Sequence, residues 1–319
     1  MGAICPACGG AELRAWRAAT ASDPQLAGRS SFELERCPRC GSARTVGAGV
    51  DQAAMYEGGT YAEARRSLAP LLTPLRRLAD RDRARLVSVM PAGGRVLEVG
   101  AGDGHLVARM RAAGLDAWGI DPSPAACAAA ERVGIEVRNA GVVEAEIEPA
   151  SQDGVVLWHS LEHVDDPAGA IARIGGWLRP GGTLVVAVPN IGGLQARIGG
   201  DRWFHQDVPR HRTHFTPAGI TALLERAGFR VERIRHLLVE QNPLGMWQTL
   251  LNRLTVQRDF AFRLIKRDVG EADPRTRLRD IAVTAVAGLV LAPIAVALEV
   301  AADLVGRGGS MVVEARVMS

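Results

Sequence analysis

From about residue 95 the chain repeats one pattern, a short run of aliphatic residues, a glycine or an acid, then a helix-length segment. A first strand covers about 95–100, and the helix after it, about 104–113, ends at Gly114. Ala117-Trp118-Gly119-Ile120 is a second strand closing on Asp121-Pro122-Ser123, followed by a helix over about 123–133 that stops at Gly134. Ile135-Glu136-Val137-Arg138 reads as the third strand and Gly154-Val155-Val156-Leu157-Trp158 as the fourth. Asp166-Pro167 starts a helix ending near Leu178, and Arg179-Pro180-Gly181-Gly182 predicts a turn into a fifth strand over 183–188, closing on Pro189-Asn190. Thr216 before Pro217 has the composition of a helix N-cap with proline in the first turn. That helix ends at Gly228, a sixth strand follows over about 229–237, and 311–317 is the last strand. Alternating strands and helices predict a parallel, doubly wound α/β sheet.

The first strand carries the chemistry. Val96-Leu97-Glu98-Val99-Gly100-Ala101-Gly102-Asp103-Gly104-His105 ends an apolar run in three alternate glycines, and the next strand ends in Asp121. Open α/β sheets bind nucleotide-like ligands at such strand ends, where glycine lets the backbone approach and an acid accepts bonds from ribose hydroxyls. A dinucleotide fingerprint needs G-x-G-x-x-G, but His105 and Val107 stand at the completing positions. The register is G-x-G-x-G.

Composition narrows the classes further. The chain has 319 residues, 47% of them hydrophobic, which is ample for a large core and appendages. A net charge of +3 and 4% aromatic residues argue against nucleic acid as the partner. Basic residues are almost all arginine, with Lys266 the only lysine. Met1-Gly2-Ala3-Ile4-Cys5-Pro6 shows no charged region ahead of an apolar core, and Pro6 stands where myristoylation wants Ser or Thr. A cytoplasmic protein is expected.

Four of five cysteines form two pairs, Cys5-Pro6-Ala7-Cys8 and Cys37-Pro38-Arg39-Cys40, each followed by a glycine, Gly9 or Gly41. Each pair can give two thiolates to one tetrahedral Zn²⁺, and four thiolates leave no open position, so the metal is expected to be structural. Residues 12–36 can supply a hairpin, with Ala21-Ser22-Asp23-Pro24 as its turn. Two disulfides or a redox C-x-x-C are the rivals; disulfides do not suit a cytoplasmic chain, and a redox motif leaves the duplicate unexplained. Cys127, in an alanine-rich helix, reads as a small buried residue.

With these motifs in this order, together with Leu161-Glu162-His163-Val164, Leu178-Arg179-Pro180-Gly181-Gly182 and Val188-Pro189-Asn190, the chain resembles the class I S-adenosylmethionine (SAM) dependent methyltransferases. It is most similar to the group related to the ubiquinone-biosynthesis O-methyltransferases, in versions with an N-terminal zinc knuckle. The resemblance implies a Rossmann-like sheet, parallel with an antiparallel last strand, and this chain adds a helical insertion before that strand. It divides the chain into a zinc-binding knuckle (1–50), a helical lead-in or lid (51–90), a SAM-binding core (91–238), a helical insertion (239–309) and the last core strand (310–319).

It also implies roles. Glu98, Gly100, Gly102 and Gly104 would lie against the methionine part of SAM, and Asp121, with Pro122 beside it, would take the ribose. Asn139, Ala140 and Gly141 follow strand three, where adenine rests, although the acid common there in the family is missing. His159 falls beside the sulfonium. Tyr56 or Tyr61 would close over the cofactor, with simple packing as the rival reading. Residues 62–90 look helical, with breaks at Pro70 and Pro74. For an acceptor hydroxyl a base is needed, and His159 and His163 are candidates; Glu162 and His163 have a structural reading as well. The stretch Trp203–Phe215 holds His211 and His214 as further candidate bases, and Arg210 or Arg212 to hold an anionic group. Relatives carry a similar Pro-Arg-His stretch. A metal site on His211-x-x-His214, or a merely solvated loop, are the alternatives. The Asp/Asn-Pro-Pro-aromatic signature of aminomethylation is absent, which disfavours base N6 chemistry.

Between strands six and seven, where relatives have a tight hairpin, lie about seventy residues. The first part, 244–267, is helical and basic (Arg253, Arg258, Arg263, Lys266, Arg267), and Ile281 to Leu298 is an uncharged run bounded by Asp280 and Glu299. Its length is near the minimum for a membrane span. A single crossing would put the ends of two neighbouring strands on opposite sides of the bilayer. Three readings survive: a monotopic or re-entrant helix broken at Pro293, a helix buried in a homodimer, or a cap over the acceptor pocket. The basic neighbour favours a membrane surface, on the inner face of the cell membrane. The function expected is O-methylation of a small or lipid-linked acceptor of quinone, polyprenyl or saccharide type. A sugar C-methyltransferase, an rRNA methyltransferase and a non-catalytic SAM-fold binding module are the alternatives.

Overall fold

The computed structural model describes residues 3–21, 31–47, 85–236, 238–239, 241–265 and 273–318. Tyr56, Tyr61, residues 62–84 of the helix expected over 62–90 and residues 22–24 of the expected Ala21–Pro24 turn lie outside them.

The central sheet has seven strands: β4 (Arg95–Val99), β5 (Asp116–Asp121), β6 (Val137–Asn139), β7 (Gln152–Trp158), β8 (Leu178–Pro189), β10 (Phe229–Arg235) and β11 (Ser310–Val317). Their spatial order is β10-β11-β8-β7-β4-β5-β6. The strands from β6 to β8 are parallel, and β11 runs antiparallel to both neighbours. This is the expected parallel sheet with a reversed last strand. β8 begins earlier than expected, at Leu178, and the Arg179–Gly182 turn is a bulge within it. The ladder pairs Gln152 with Leu178 and resumes only at Gly154 and Thr183.

Alternate residues of the central strands sort onto two buried faces, as a sheet covered on both sides requires. Val155 and Leu157 of β7 and Leu184, Val186 and Val188 of β8 meet Ile171, Ile174, Leu223 and Leu224 from α3 (Pro167–Trp177) and α5 (Pro217–Arg226). Val156, Val185 and Ala187 face the other way, toward Leu86, Val107 and Met110, the last two from α1 (His105–Ala112). One device starts several of these helices, a capping side chain followed by proline. Ser123 caps α2 (Pro124–Glu131), Asp166 caps α3 and Thr216 caps α5, each accepting a bond from a first-turn N–H.

The N-terminal segment forms the expected hairpin, β1 (Arg14–Thr20) against β2 (Ser31–Arg36), with β3 (Ala43–Val46) beside it. Its fourth strand comes from 170 residues away: β9 (Thr213–His214) pairs with β3. Cys5, Ala7, Cys8 and Cys37 belong to the same apolar cluster as α3 and α5, so the knuckle shares the main core.

The insertion leaves the sheet after Arg235 and re-enters at Ser310, which pairs with Pro189. Both points lie at the carboxyl ends of the parallel strands. The first part is two helices, α6 (Asn242–Asn252) and α7 (Phe260–Ile265). The apolar run lies in one helix, α8 (Pro274–Leu304), of 31 residues. The expected break at Pro293 does not occur. Proline forfeits a single ladder bond, and long helical stretches on both sides sustain the helix through it. A short helix, α4 (Leu194–Gly199), follows β8.

Candidate active site and cysteine cluster

The glycine loop and Asp121 form one unit. Gly100 and Gly104 both have left-handed backbones, and a Cβ on either would stand 2.5 Å from a neighbour, Ser160 Cβ or Ile135 Cγ2 respectively. These two glycines are required by packing within the protein. Gly102 differs: φ is +55, and nothing lies within 4 Å of a Cβ built there. Its open face is the one a ligand can approach. Gly102 N–H donates to Asp121 Oδ2 at 2.8 Å and Ser123 N–H to Oδ1 at 2.9 Å. A carboxylate accepts about four bonds, so each oxygen keeps capacity for a ribose hydroxyl. Burial raises the Asp121 pKa above the usual aspartate value, against the two N–H bonds that lower it.

The remaining cofactor candidates line the same edge. Glu98 is buried near the end of β4. Asn139 Nδ2 and Ala140 N both donate to the Asp121 carbonyl, at 3.0 and 3.1 Å, tying the end of β6 to the strand that carries the acid. The Glu144 carboxylate closes on Gly141, placing an acid three residues beyond the position where the sequence lacks one.

At the ends of β7 and β8 the structure gathers His159, Glu162, His163 and His211. His159 follows β7 directly and adopts φ +54, a left-handed conformation uncommon for a side-chain-bearing residue and frequent at functional sites. Its Nδ1 lies 3.4 Å from Glu162 Oε1, and its Nε2 is buried without a hydrogen-bond partner. Glu162, in a 3-10 turn over Leu161–His163, is the hub that sequence reasoning left as a cap or structural pair. Burial pushes its carboxyl up, but the His159 contact and the charges of His163, His159 and His211 more than offset this and hold it at about 2. His211 Nε2 stands 4.0 Å from Glu162 Oε1 and 3.9 Å from Asp207 Oδ2. The ligating atoms of Glu162, His163 and His211 lie within 4.8 Å of one another, close enough to share a cation.

Other candidates are committed elsewhere. His163 Nδ1 contacts the Arg210 carbonyl at 3.1 Å. Burial pushes His211 down to about 4 and His214 to about 3, which makes both neutral at pH 7 and poor bases. His214 is buried in β9 with Nε2 3.0 Å from Thr45 Oγ1, so the His211-x-x-His214 metal pair does not converge. Arg210 and Arg212, the candidates for holding an anion, each stand beside an aspartate. Arg210 binds Asp207 through both nitrogens at 2.6 and 3.0 Å, and Arg212 Nε lies 3.3 Å from Asp165. Of the histidines, His159 alone combines a carboxylate on one nitrogen with an unpartnered second nitrogen.

The loop that carries His211 is held from the knuckle. Thr45 N–H donates to the Arg212 carbonyl at 2.9 Å, and Thr45 Oγ1 donates to the His211 carbonyl at 2.7 Å. Thr216 Oγ1 donates to the Cys40 carbonyl at 2.6 Å, and Thr216 N–H donates to Ser42 Oγ at 3.1 Å.

The knuckle is built twice over. Gly9 N–H donates to the Cys5 carbonyl and Gly41 N–H to the Cys37 carbonyl, each at 2.9 Å, with φ of +69 and +75 at the glycines. The four cysteines stand with their sulfurs apart rather than joined in disulfides. Cys5 and Cys40 sulfurs are 3.7 Å apart and Cys8 and Cys37 sulfurs 3.6 Å. A tetrahedral ion with bonds of about 2.3 Å requires sulfurs about 3.8 Å apart, so the donor set fits Zn²⁺.

Comparison with known proteins agrees with this geometry. A family model described as a methyltransferase domain matches residues 71–234. The chain is 31% identical to a ubiquinone biosynthesis O-methyltransferase from Xanthomonas axonopodis pv. citri, over 47% of this chain and 68% of that protein. It is 28% identical to the enzyme of the same name from Cupriavidus pinatubonensis, over 54% of this chain and 74% of that one. A geranyl diphosphate methyltransferase solved with SAM shares the fold, with TM-score 0.51 and 16% identity over 78% of this chain and 89% of that one.

Proposed function

Since the chain belongs to the class I SAM-dependent methyltransferases, we propose that it methylates an oxygen of a lipid-linked acceptor at a membrane surface, on the cytoplasmic side. The observation that carries the acceptor class is the inversion of α8. Its buried residues include Asp280 and Glu299, while Val286, Leu289 and Val290 are 71%, 80% and 62% exposed. Asp280 accepts inward bonds from Val256 N and Gln257 N at 3.0 and 2.9 Å, and Glu299 accepts one from Gly309 N at 3.2 Å. Charges point into the protein and aliphatic side chains point out, the arrangement suited to hydrocarbon rather than water. No charge interrupts 281–298, and Arg275, Arg277 and Arg279 stand at one end to meet anionic headgroups. Both ends of the insertion join the ligand-binding edge of the sheet, so a membrane under α8 would present acceptors beside the site.

In this reading SAM supplies the methyl group on a cationic sulfur. Gly102 and Asp121 would hold and orient it so that an acceptor oxygen could take the methyl group in line, a C–O bond replacing the S–C bond. His159 Nε2 takes the hydroxyl proton, and Glu162 at Nδ1 fixes the tautomer and stabilises the imidazolium. The four-cysteine knuckle would hold one structural Zn²⁺ and, through Thr45, the position of the 203–215 loop. Incubating a cell extract with methyl-labelled SAM and the protein tests the proposal. Label in the lipid-extractable fraction is expected, and label confined to nucleic acid or protein would overturn it.

A further inference from the structure

Where the hairpin meets the sheet edge, a cavity of about 560 Å³ opens between the knuckle, the end of β8 and the segment after α8. Trp16, Arg17, Arg36, Asn190, Arg197 and Arg307 line it. Four arginines from three parts of the fold therefore line one space, and no described acid lines it. The size falls within the range of small-ligand sites.

The arginines are arranged rather than merely near one another. Trp16 carries Arg17 and Arg36 over its ring, at 4.0 and 4.8 Å from the centroid. Arg36 Nε donates to the Gly41 carbonyl at 3.0 Å, which fixes its stem to the second knuckle. Arg17 Nη2 donates to Gln206 Oε1 at 3.2 Å, while Arg17 Nε is buried with no partner among the described residues. Burial first, then the like charges of Arg36 and Arg258, push Arg17 down to about 10 in spite of Asp201. Crowded, partly desolvated guanidiniums gain most from an anion with several oxygens, since planar forks bind phosphate oxygens in pairs. Gln206 adjoins His205, whose carbonyl contacts His211 Nδ1 at 2.9 Å, so Arg17 ties the cavity wall to the loop of the histidine cluster.

We infer that this cavity binds a phosphate or diphosphate group of the methyl acceptor. The assignment rests on the acceptor reading above for the molecule that bears the group, but the anion site itself can be measured without it. Arg307 lies just past the exposed end of α8, so a headgroup at a membrane surface and a soluble phosphorylated acceptor are both within its chemistry.

Calorimetric titration with inorganic pyrophosphate tests the site. Wild type should bind it saturably, and Arg197→Ala with Arg307→Ala should weaken binding at least about tenfold while SAM affinity stays unchanged. Both side chains are exposed, and unchanged SAM affinity verifies that the variant is folded. If that variant fails to fold, Arg36→Ala alone should weaken pyrophosphate binding in the same direction. Flotation with phosphatidylcholine vesicles, with and without a polyprenyl diphosphate, then separates the sources. Preference for the diphosphate vesicles, reduced in the variant, assigns a lipid headgroup; equal flotation with intact pyrophosphate binding assigns a soluble acceptor. No saturable pyrophosphate binding, or equal binding by wild type and variant, overturns the inference. Because SAM binding is read separately, failure of the anion site would not be mistaken for failure of the methyltransferase reading.

Discussion

Replacing Thr45 with valine keeps the shape of a buried side chain and deletes one hydroxyl. That hydroxyl is one of the side-chain links between the knuckle and the His211 loop, donating to the His211 carbonyl at 2.7 Å and meeting His214 Nε2 at 3.0 Å. Both partners are buried, and valine leaves both without it. A buried polar group stripped of its partner costs about 1–3 kcal/mol, so the pair should cost about 2–4 kcal/mol. At about 2–4 °C per kcal/mol for a domain of this size, Tm should fall by about 4–16 °C. The β3–β9 ladder survives, because Thr45 N–H still donates to Arg212. Calorimetric unfolding with SAM titration on the same samples is the assay. SAM affinity should remain within about twofold, since Gly102 and Asp121 lie on other elements, while methyl transfer falls. A Tm shift below about 2 °C, or a loss of SAM binding equal to the loss of transfer, would refute the claim that the knuckle positions the acceptor loop.

If Asp121 accepts two ribose bonds as proposed, each worth about 1.5 kcal/mol or more, Asp121→Ala should bind SAM about 100-fold more weakly. The same carboxyl gives a pH signature. Burial raises its pKa, and the ionised form is the one that accepts, so SAM affinity is present above that raised value and lost as pH falls through it, before an ordinary aspartate would titrate. The Asp121→Ala protein should lack this dependence in calorimetric titrations from pH 7 downward. Cys37→Ser should lower zinc from about one per chain toward none by elemental analysis and loosen the 203–215 loop to proteolysis. Leu289→Asp with Val290→Asp places two charges on the exposed face of α8 and should weaken vesicle partitioning by about 100-fold in flotation, with SAM affinity unaltered.

How much of this was legible in the chain depended on distance along it. The glycine register, Asp121, the Asp166-Pro167 and Thr216-Pro217 helix starts and the paired Cys-x-x-Cys-Gly turns are local devices, and the structure places the expected elements there. The role of Glu162 was not legible, because a buried carboxylate between His159 and His211 exists only once the 3-10 turn and the distant loop meet. For the same reason Arg210 and Arg212 read as free cations when Asp207 and Asp165 occupy them. The β3–β9 pairing joins residues 170 apart and has no sequence period to announce it. In α8 the apolar run was plain, but its inside-out arrangement was not, because Asp280 and Glu299 flank the run in sequence and face inward in space. Pro293 misled for a physical reason: one missing N–H does not break a helix with this much ladder on either side.

The central claim is that the edge formed by Gly102, Asp121 and His159 binds SAM and releases its methyl group. Equilibrium titration of the zinc-loaded protein with SAM and with its demethylated product measures this most directly. One site per chain with micromolar affinity for both is expected, since the ribose and amino-acid contacts would be common to the two ligands. Absence of binding by either ligand, with the protein folded and its zinc in place, would contradict it.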